Sequence, residues 1–368
     1  MLPLLAGTEF GLTSETAAIG FLVAFGFAKA GAHFLAGDLA ERIGRRRILL
    51  AAWAFGIPVR LFIMWAPSWG WIGFANLLLG INQGLAWSTS QIMSIDLVGP
   101  KRRGLAMGLN ECAGYLAVAA AALGAGYLAD SFGPRPEPYL IALGAALLGL
   151  AVTFFVRDTG HYVQLEAELS DSGPEPLGGS HARKPLLAAN QAGLLTNLKE
   201  GVAWGLLPAF FADQGLELRQ IAWPAALYPA VWGLTQLGTG TMSDSIGRRP
   251  LIVGGLLVQA VALAGFATLN GFVPWAACAV TLGIGTAAVS PTLIAQVGDL
   301  VVPETRETRA SAIGRYRLWR DLGYAVGALF AGLLTDVLDF RATIVIIALL
   351  LVGSAAVARV LLPRPTRA

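Results

Sequence analysis

Cysteine, histidine and charge are all scarce in this chain of 368 residues. Only Cys112 and Cys278 occur, each inside an apolar run, and His33, His161 and His181 share no metal-ligand spacing with them. A disulfide framework and a metal site are thereby set aside. Charged residues make up 13% of the chain and hydrophobic ones 55%, whereas roughly a quarter of a soluble domain is charged. That balance excludes an ordinary soluble protein. No G-x-x-x-x-G-K-[ST] phosphate loop or other nucleotide fingerprint is present, so ATP is not the direct energy source. Nor is there a nucleophile with a base, as an enzyme would need, and no cofactor is expected. The net charge of +3 comes from Lys and Arg placed in alternate loops, where a bilayer accounts for them and a nucleic acid is not required.

What the chain does have is long apolar runs. A bilayer core about 30 Å thick needs about 20 apolar residues per helix. On that ruler eleven spans are expected, at 16–37, 48–66, 70–97, 104–129, 138–156, 191–212, 218–239, 250–270, 272–299, 310–336 and 341–362. Lys and Arg cluster on one side of them, at Arg42 to Arg47, Lys101 to Arg103, Arg183 and Lys184, Arg248 and Arg249, and Arg306 and Arg309, which marks that side as cytoplasmic. Residues 157–190, rich in charge, Gly and Pro, read as a cytoplasmic linker with a short surface helix over 161–169. The domains on either side are 1–156 and 191–368. Trp65, Trp69 and Trp71 mark an outer interface.

The densest charge is the knot Gly37-Asp38-Leu39-Ala40-Glu41-Arg42-Ile43-Gly44-Arg45-Arg46-Arg47, read as a short loop whose glycines let helix ends approach closely. A second copy runs Gly240-Thr241-Met242-Ser243-Asp244-Ser245-Ile246-Gly247-Arg248-Arg249. Further on, Asp96–Pro100 matches Asp299–Pro303, and Gly126–Asp130 matches Gly332–Asp336, so the chain is a duplication. Leu2-Pro3-Leu4-Leu5 likewise matches Leu207-Pro208-Ala209-Phe210.

The stretch from Gly37 to Leu50 resembles the loop signature G-x-L-a-D-r-x-G-r-k-x-x-L of the major facilitator superfamily, with Glu41 where that family usually has Asp. The resemblance implies an all-α membrane fold of two pseudo-symmetric six-helix bundles and secondary transport by alternating access. It also implies twelve helices, so most of the first is expected to lie upstream of Met1. Of the spans present, 70–97, 191–212 and 272–299 would line a central cavity, and 16–37, 104–129, 218–239 and 310–336 would close it. Glu41 and Arg45 would engage Asp96 in a conformational lock, repeated by Asp244, Arg248 and Asp299. Two departures argue against a drug antiporter: Gly80 replaces an Arg common in proton-coupled exporters, and the span 104–129 has Gly124 and Gly126 but no proline.

Polar groups inside spans are expensive and mark candidate pathway residues. Gln83, Trp87 and Gln91 recur every four residues on one helical face, as do Asn197, Glu200 and Trp204 at i, i+3 and i+7. Asn76 accompanies the first set. Lys29 and His33 lie four apart: His33 is either a proton-handling group or a neutral ring bonded to a backbone carbonyl, with Lys29 snorkelling or finding an acid. Arg60 reads as a snorkelling residue. The run Arg315-Tyr316-Arg317-Leu318-Trp319-Arg320-Asp321 is the most informative. Arg317 and Asp321 are spaced to pair along a helix, which leaves Arg320 about 15 Å deep and in need of a partner, a watery cavity or an anionic substrate. The repeat sets Asn110 and Glu111 against Tyr316 and Arg317. Glu111, about 10 Å deep, would pair with Arg317, Arg320 or Lys29. The expectation is a monomeric, multi-pass protein of the bacterial cytoplasmic membrane that moves a small, anionic solute with protons. The rival reading is a transporter-like sensor that binds without transport.

Overall fold

The computed structural model describes residues 2–98, 103–160, 183–300 and 309–363. The described residues are helical almost throughout and contain no strand. A short α1 (Leu2–Thr8) precedes five long helices, α2 (Glu15–Ile43), α3 (Arg45–Met64), α4 (Trp69–Val98), α5 (Arg103–Phe132) and α6 (Glu137–Phe155). After the linker come α7 (Arg183–Glu200), a π-helical turn (Gly201–Leu206) and α8 (Leu207–Asp213). Then follow α9 (Leu218–Ile246), α10 (Arg248–Thr268), α11 (Phe272–Leu300), α12 (Arg309–Val337) and α13 (Phe340–Leu361).

All eleven expected spans are present as helices. Seven are long and apolar enough to cross a membrane by length and composition alone. The others are α4, the α7–α8 unit, α9 and α12, and these carry most of the polar groups described below. Residues 183–190 belong to α7 rather than to the linker, because Pro185 sits in the first turn, where a missing N–H costs nothing. The short helix anticipated at 161–169 falls outside the described residues.

The helices pack as two bundles. In the first, α2 lies on α4, and α3 on α4 and α6; in the second, α9 and α10 lie on α11, α10 on α13, and α7 on α12 and α13. The bundles meet along two seams related by the duplication, α2 against α12 and α5 against α9. The matched Leu-Pro segments are the seven-residue helices α1 and α8, which touch each other. Small residues set these distances. A Cβ on Gly26 would lie 2.5 Å from the Ala325 backbone nitrogen, and one on Gly327 only 2.1 Å from the Leu198 carbonyl oxygen, so α2–α12 and α7–α12 meet backbone to backbone.

The outer ends of both seams are fastened by equivalent aspartates. At the end of α12, Asp336 accepts from Ser14 Oγ (2.7 Å) and from the Glu15 (2.6 Å) and Thr16 (3.1 Å) backbone N–H groups that open α2. At the end of α5, Asp130 pairs with Arg219 of α9 at 2.6 Å. Trp65 and Trp71 are exposed, whereas Trp69 packs on Phe10 and Phe21 and donates to the Ala17 carbonyl.

Candidate functional site

Charged and aromatic side chains from α2, α4, α5, α7, α9 and α12 converge between the bundles. Asp321, fully buried on α12, is the first hub. Its Oδ1 accepts from Arg320 Nε (2.9 Å) and Nη2 (2.8 Å) and from Asn197 Nδ2 (3.5 Å), and its Oδ2 is held by His33 Nδ1 across the seam. The expected Arg317–Asp321 pair therefore does not form. The neighbouring Arg320 occupies the carboxylate, while Arg317 Nη2 crosses to Gln91 Oε1 on α4 at 3.0 Å. His33 bonds a carboxylate rather than a backbone carbonyl, and its buried Nε2 has no partner.

Lys29 neither snorkels nor finds an acid. Its Nζ sits over the rings of Phe25 (5.3 Å) and Tyr324 (4.7 Å), and it makes no ion pair among the described residues. Gly80 and Gly84 hold this part of α2 in place. A Cβ on Gly80 would fall 2.5 Å from Phe25 O and one on Gly84 2.5 Å from Ala32 Cβ, so α4 has no room for a side chain at either position. This is the physical reason that Gly stands at 80. Arg60, expected to snorkel, instead turns back onto its own helix, where Nη1 donates to Gly56 O at 2.7 Å.

Glu111 forms the second hub, and its partners are neutral donors rather than the expected cation. Its Oε1 accepts from Trp87 Nε1 at 2.5 Å and from Gln91 Nε2. Gln91 thus joins Glu111 to Arg317. Gly114 lets the Trp87 ring lie against α5, since a Cβ there would be 2.7 Å from Trp87 Cη2. Asn110 and Gln83, both half-buried, make no hydrogen bond among the described residues. Asn76 only bonds back to Ile72 O.

The third hub joins Glu200 to two residues that the helical-face reading passed over. Lys199 Nζ lies 2.5 Å from Glu200 Oε1, and both side chains are fully buried. Tyr228 of α9 donates to the same oxygen at 2.5 Å and receives Lys199 Nζ at 2.7 Å. Glu200 Oε2 has no partner. Lys199 lies about 100° round the helix from Glu200, off the stripe of Asn197, Glu200 and Trp204; the Lys-Glu dipeptide inside an apolar run was its available signal. The π turn begins at the next residue. Pro208 can give no N–H to Trp204, and Gly201 lies against the α12 backbone, so the helix takes up an extra residue there.

Five rings connect the second hub to the third. Trp87 meets Tyr115 at 5.4 Å, Tyr115 stacks on Trp232 at 3.8 Å across the α5–α9 seam, Trp232 meets Tyr228 at 5.7 Å, and Tyr228 meets Trp204 at 5.7 Å. Beside Trp204 and Tyr228 an apolar cavity is lined by Phe211, Pro224, Phe266 and Leu282.

The two charged knots lie at the opposite ends of the helices from Asp336 and Asp130. They are helical rather than loops: α2 runs through Gly37, Glu41 and Arg42 to Ile43, and the break is one residue, Gly44, at φ 99°. Gly247 repeats it at φ 97°. Positive φ is what requires glycine there. Gly37, expected to allow close approach, faces open space, as does its counterpart Gly240. Arg45 Nε pairs with Asp96 at 3.3 Å and Arg248 Nε with Asp299 at 3.1 Å, whereas Glu41 and Arg42 are exposed. The Asp244 side chain lies outside the described residues.

The start of the linker bolts the first knot. Thr159 Oγ1 donates to Asp96 Oδ2 (2.6 Å), and Asp158 accepts from the Arg46 and Gly160 N–H groups at 3.0 Å each, capping α3 from outside it. Partial burial pushes the Asp158 carboxyl up, but those N–H groups and the Arg45 guanidinium outweigh it and hold it below its ordinary value.

Two helical bundles thus meet along paired seams, with charged side chains concentrated where they meet. The sequence comparisons give the family: residues 1–212 and 191–368 each match the Major Facilitator Superfamily, and the chain belongs to it. Its members are transporters rather than enzymes. The chain is 24% identical over 338 residues to the multidrug resistance protein MdtG of Dickeya zeae, covering 89% of this chain and 80% of that one. It is 25% identical over 342 residues to MdtG of Serratia proteamaculans, covering 91% and 81%. Among solved structures it is similar in fold to a peptide transporter POT in complex with alafosfalin, at a TM-score of 0.75 and 14% identity over 98% of this chain and 91% of that one. It is also similar to the human organic anion transporter MFSD10, at a TM-score of 0.64 and 16% identity over 97% and 88%.

Proposed function

We propose that this secondary transporter moves a small anionic solute across the cytoplasmic membrane in exchange or symport with protons, by alternating access of the two bundles. The observation that carries the reading is the charge balance at the buried centre between the bundles, among the described residues. Lys29, Lys199, Arg317 and Arg320 face Glu111, Glu200 and Asp321, four cations to three carboxylates. An excess positive charge inside a bilayer is costly and favours an anionic ligand.

Glu111 is the coupling acid in this reading. It is held by Trp87 and Gln91, donors that do not themselves titrate, so taking up a proton breaks no ion pair. It does weaken the bond from Gln91, which loses its charged acceptor, and through Gln91 the hold on Arg317 of the opposite bundle. Protonation of one bundle thereby changes its grip on the other, as a coupled cycle requires. Glu111→Gln in proteoliposomes is expected to keep solute exchange and to lose acceleration by an imposed pH gradient. Full pH-driven transport in that variant would move the coupling to Glu200 or His33, and binding without any flux would support a sensor instead.

A further inference from the structure

We propose that the substrate is an aromatic acid whose planar ring enters between Tyr115 and Trp232 and whose anionic group is received by Lys29. The proposal rests on the transport reading above and names its substrate class.

Three separate observations lead to it. The first is Lys29. Arg320 is neutralised by Asp321 and Lys199 by Glu200, and Arg317 is joined to Glu111 through Gln91. Lys29 alone of these four is held only by ring faces, those of Phe25 and Tyr324. Cation–π contacts position an ammonium without discharging it, so this group awaits an anion. The charges it faces from packed elements are Asp321 and Arg320 of α12, Glu111 of α5 and Glu200 of α7. The first two already form a pair.

The second is the Tyr115–Trp232 stack. It is the contact by which one ring of each bundle closes the α5–α9 seam, at 3.8 Å and an interplanar angle of 28°. When the bundles part, each ring exposes a flat face to the other. A planar guest restores stacking to both faces, which a saturated guest of equal size does not. Stack and cation lie side by side, because Gly84 of α4 abuts the Lys29 backbone carbonyl and Trp87, three residues on in the same helix, packs on Tyr115.

The third is Trp232 Nε1. Trp232 is only 4% exposed, yet its indole N–H has no acceptor, and one helical turn on the buried Gln236 Oε1 has no donor. Buried polar atoms without partners are uncommon in native proteins and call for an explanation. A guest whose polar group reaches the indole edge, beside rather than above the Trp232 face, would give these atoms a partner.

The test is equilibrium binding of 6-hydroxy-2-naphthoate to the full chain in nanodiscs, with competition by 2-naphthoate, cyclohexanecarboxylate and 2-naphthylmethylammonium. The naphthoates should outcompete both others by about tenfold or more. Lys29→Gln should remove that margin for 2-naphthoate while leaving the neutral 2-naphthol unaffected. Trp232→Leu and, from the other bundle, Tyr115→Leu should weaken every naphthyl probe. Equal competition by cyclohexanecarboxylate, or unchanged affinity in folded Trp232→Leu and Tyr115→Leu, would overturn the proposal. If the variants do not fold, the ranking of the four probes on the unaltered protein decides. Proteoliposomes separate the two readings. Naphthoate bound but never moved keeps the site and removes the transporter; pH-driven uptake of cyclohexanecarboxylate with no naphthoate binding keeps the transporter and removes the site.

Discussion

Replacing Asp336 by Asn tests whether the outer ends of the seams act as a latch. The carboxylate takes three hydrogen bonds from Ser14, Glu15 and Thr16 at the start of α2. That is an N-terminal cap supplied by the other bundle. Caps contribute about 0.5–2 kcal/mol, and a negative charge at a helix N-terminus about 0.3–1 kcal/mol when exposed, as Asp336 is. Asn keeps one acceptor but no charge. In the parted state both groups are solvated, so the loss falls on the closed state, at about 1.5 kcal/mol, or roughly tenfold in the closed-to-open ratio. The pseudo-equivalent Asp130 binds a half-exposed Arg219, and such surface pairs contribute about 0–1 kcal/mol. Asp130→Asn should therefore move the ratio about threefold or less. The readout is the labelling rate, by an impermeant maleimide added outside, of Leu22→Cys in a background lacking Cys112 and Cys278; Leu22 packs against Gly205 across the seam. Equal labelling in both variants, or a larger effect from Asp130→Asn, would refute the reasoning.

Three further outcomes are expected. Lys199→Met leaves Glu200 buried with Tyr228 as its remaining polar partner and should lower stability by about 3–5 kcal/mol, while Lys199→Met with Glu200→Leu recovers most of it; thermal unfolding in detergent compares them. Asp158 is held below its ordinary carboxyl value, so its contribution to stability is present above that value and is lost as the pH falls through and below it; melting temperatures of Asp158→Asn and the unaltered protein should differ near neutrality and converge in acid. Arg45→Ala frees Asp96 from the first knot and should raise cysteine labelling from the cytoplasmic side and slow transport without unfolding the protein; unchanged labelling and flux would assign the knot to topology alone.

Much of the fold is legible in the sequence because lipid enforces it. Each crossing needs a run of apolar residues, so the spans around α3, α6 and α13 stand out directly, and the recurring knot exposes the duplication. The charged knot itself misleads, since Gly44 breaks α2 in one residue and neighbouring polar residues remain helical. Side-chain pairing is less legible. Spacing along one helix favours Arg317 for Asp321, but His33 and Asn197 approach from other elements and Gln91 draws Arg317 away. Lys199 escapes any single-face pattern because it starts about 100° round the helix from Glu200 and still reaches the same Tyr228 hydroxyl. The aromatic ladder crosses once between the halves of the sequence, from Tyr115 to Trp232, and no local period announces that crossing.

The contact of α7 with α12 through Gly201, Gly323 and Gly327 has a mechanical consequence. Backbones touching at three glycines leave no side-chain layer that could shear, so the two helices behave as a single lever. Any tilt of α12 against α2 must sweep Lys199, Glu200 and the π turn along with Asp321 and Arg320. The second bundle therefore cannot adjust one charged hub while keeping the other still. A load felt at either hub is transmitted to both.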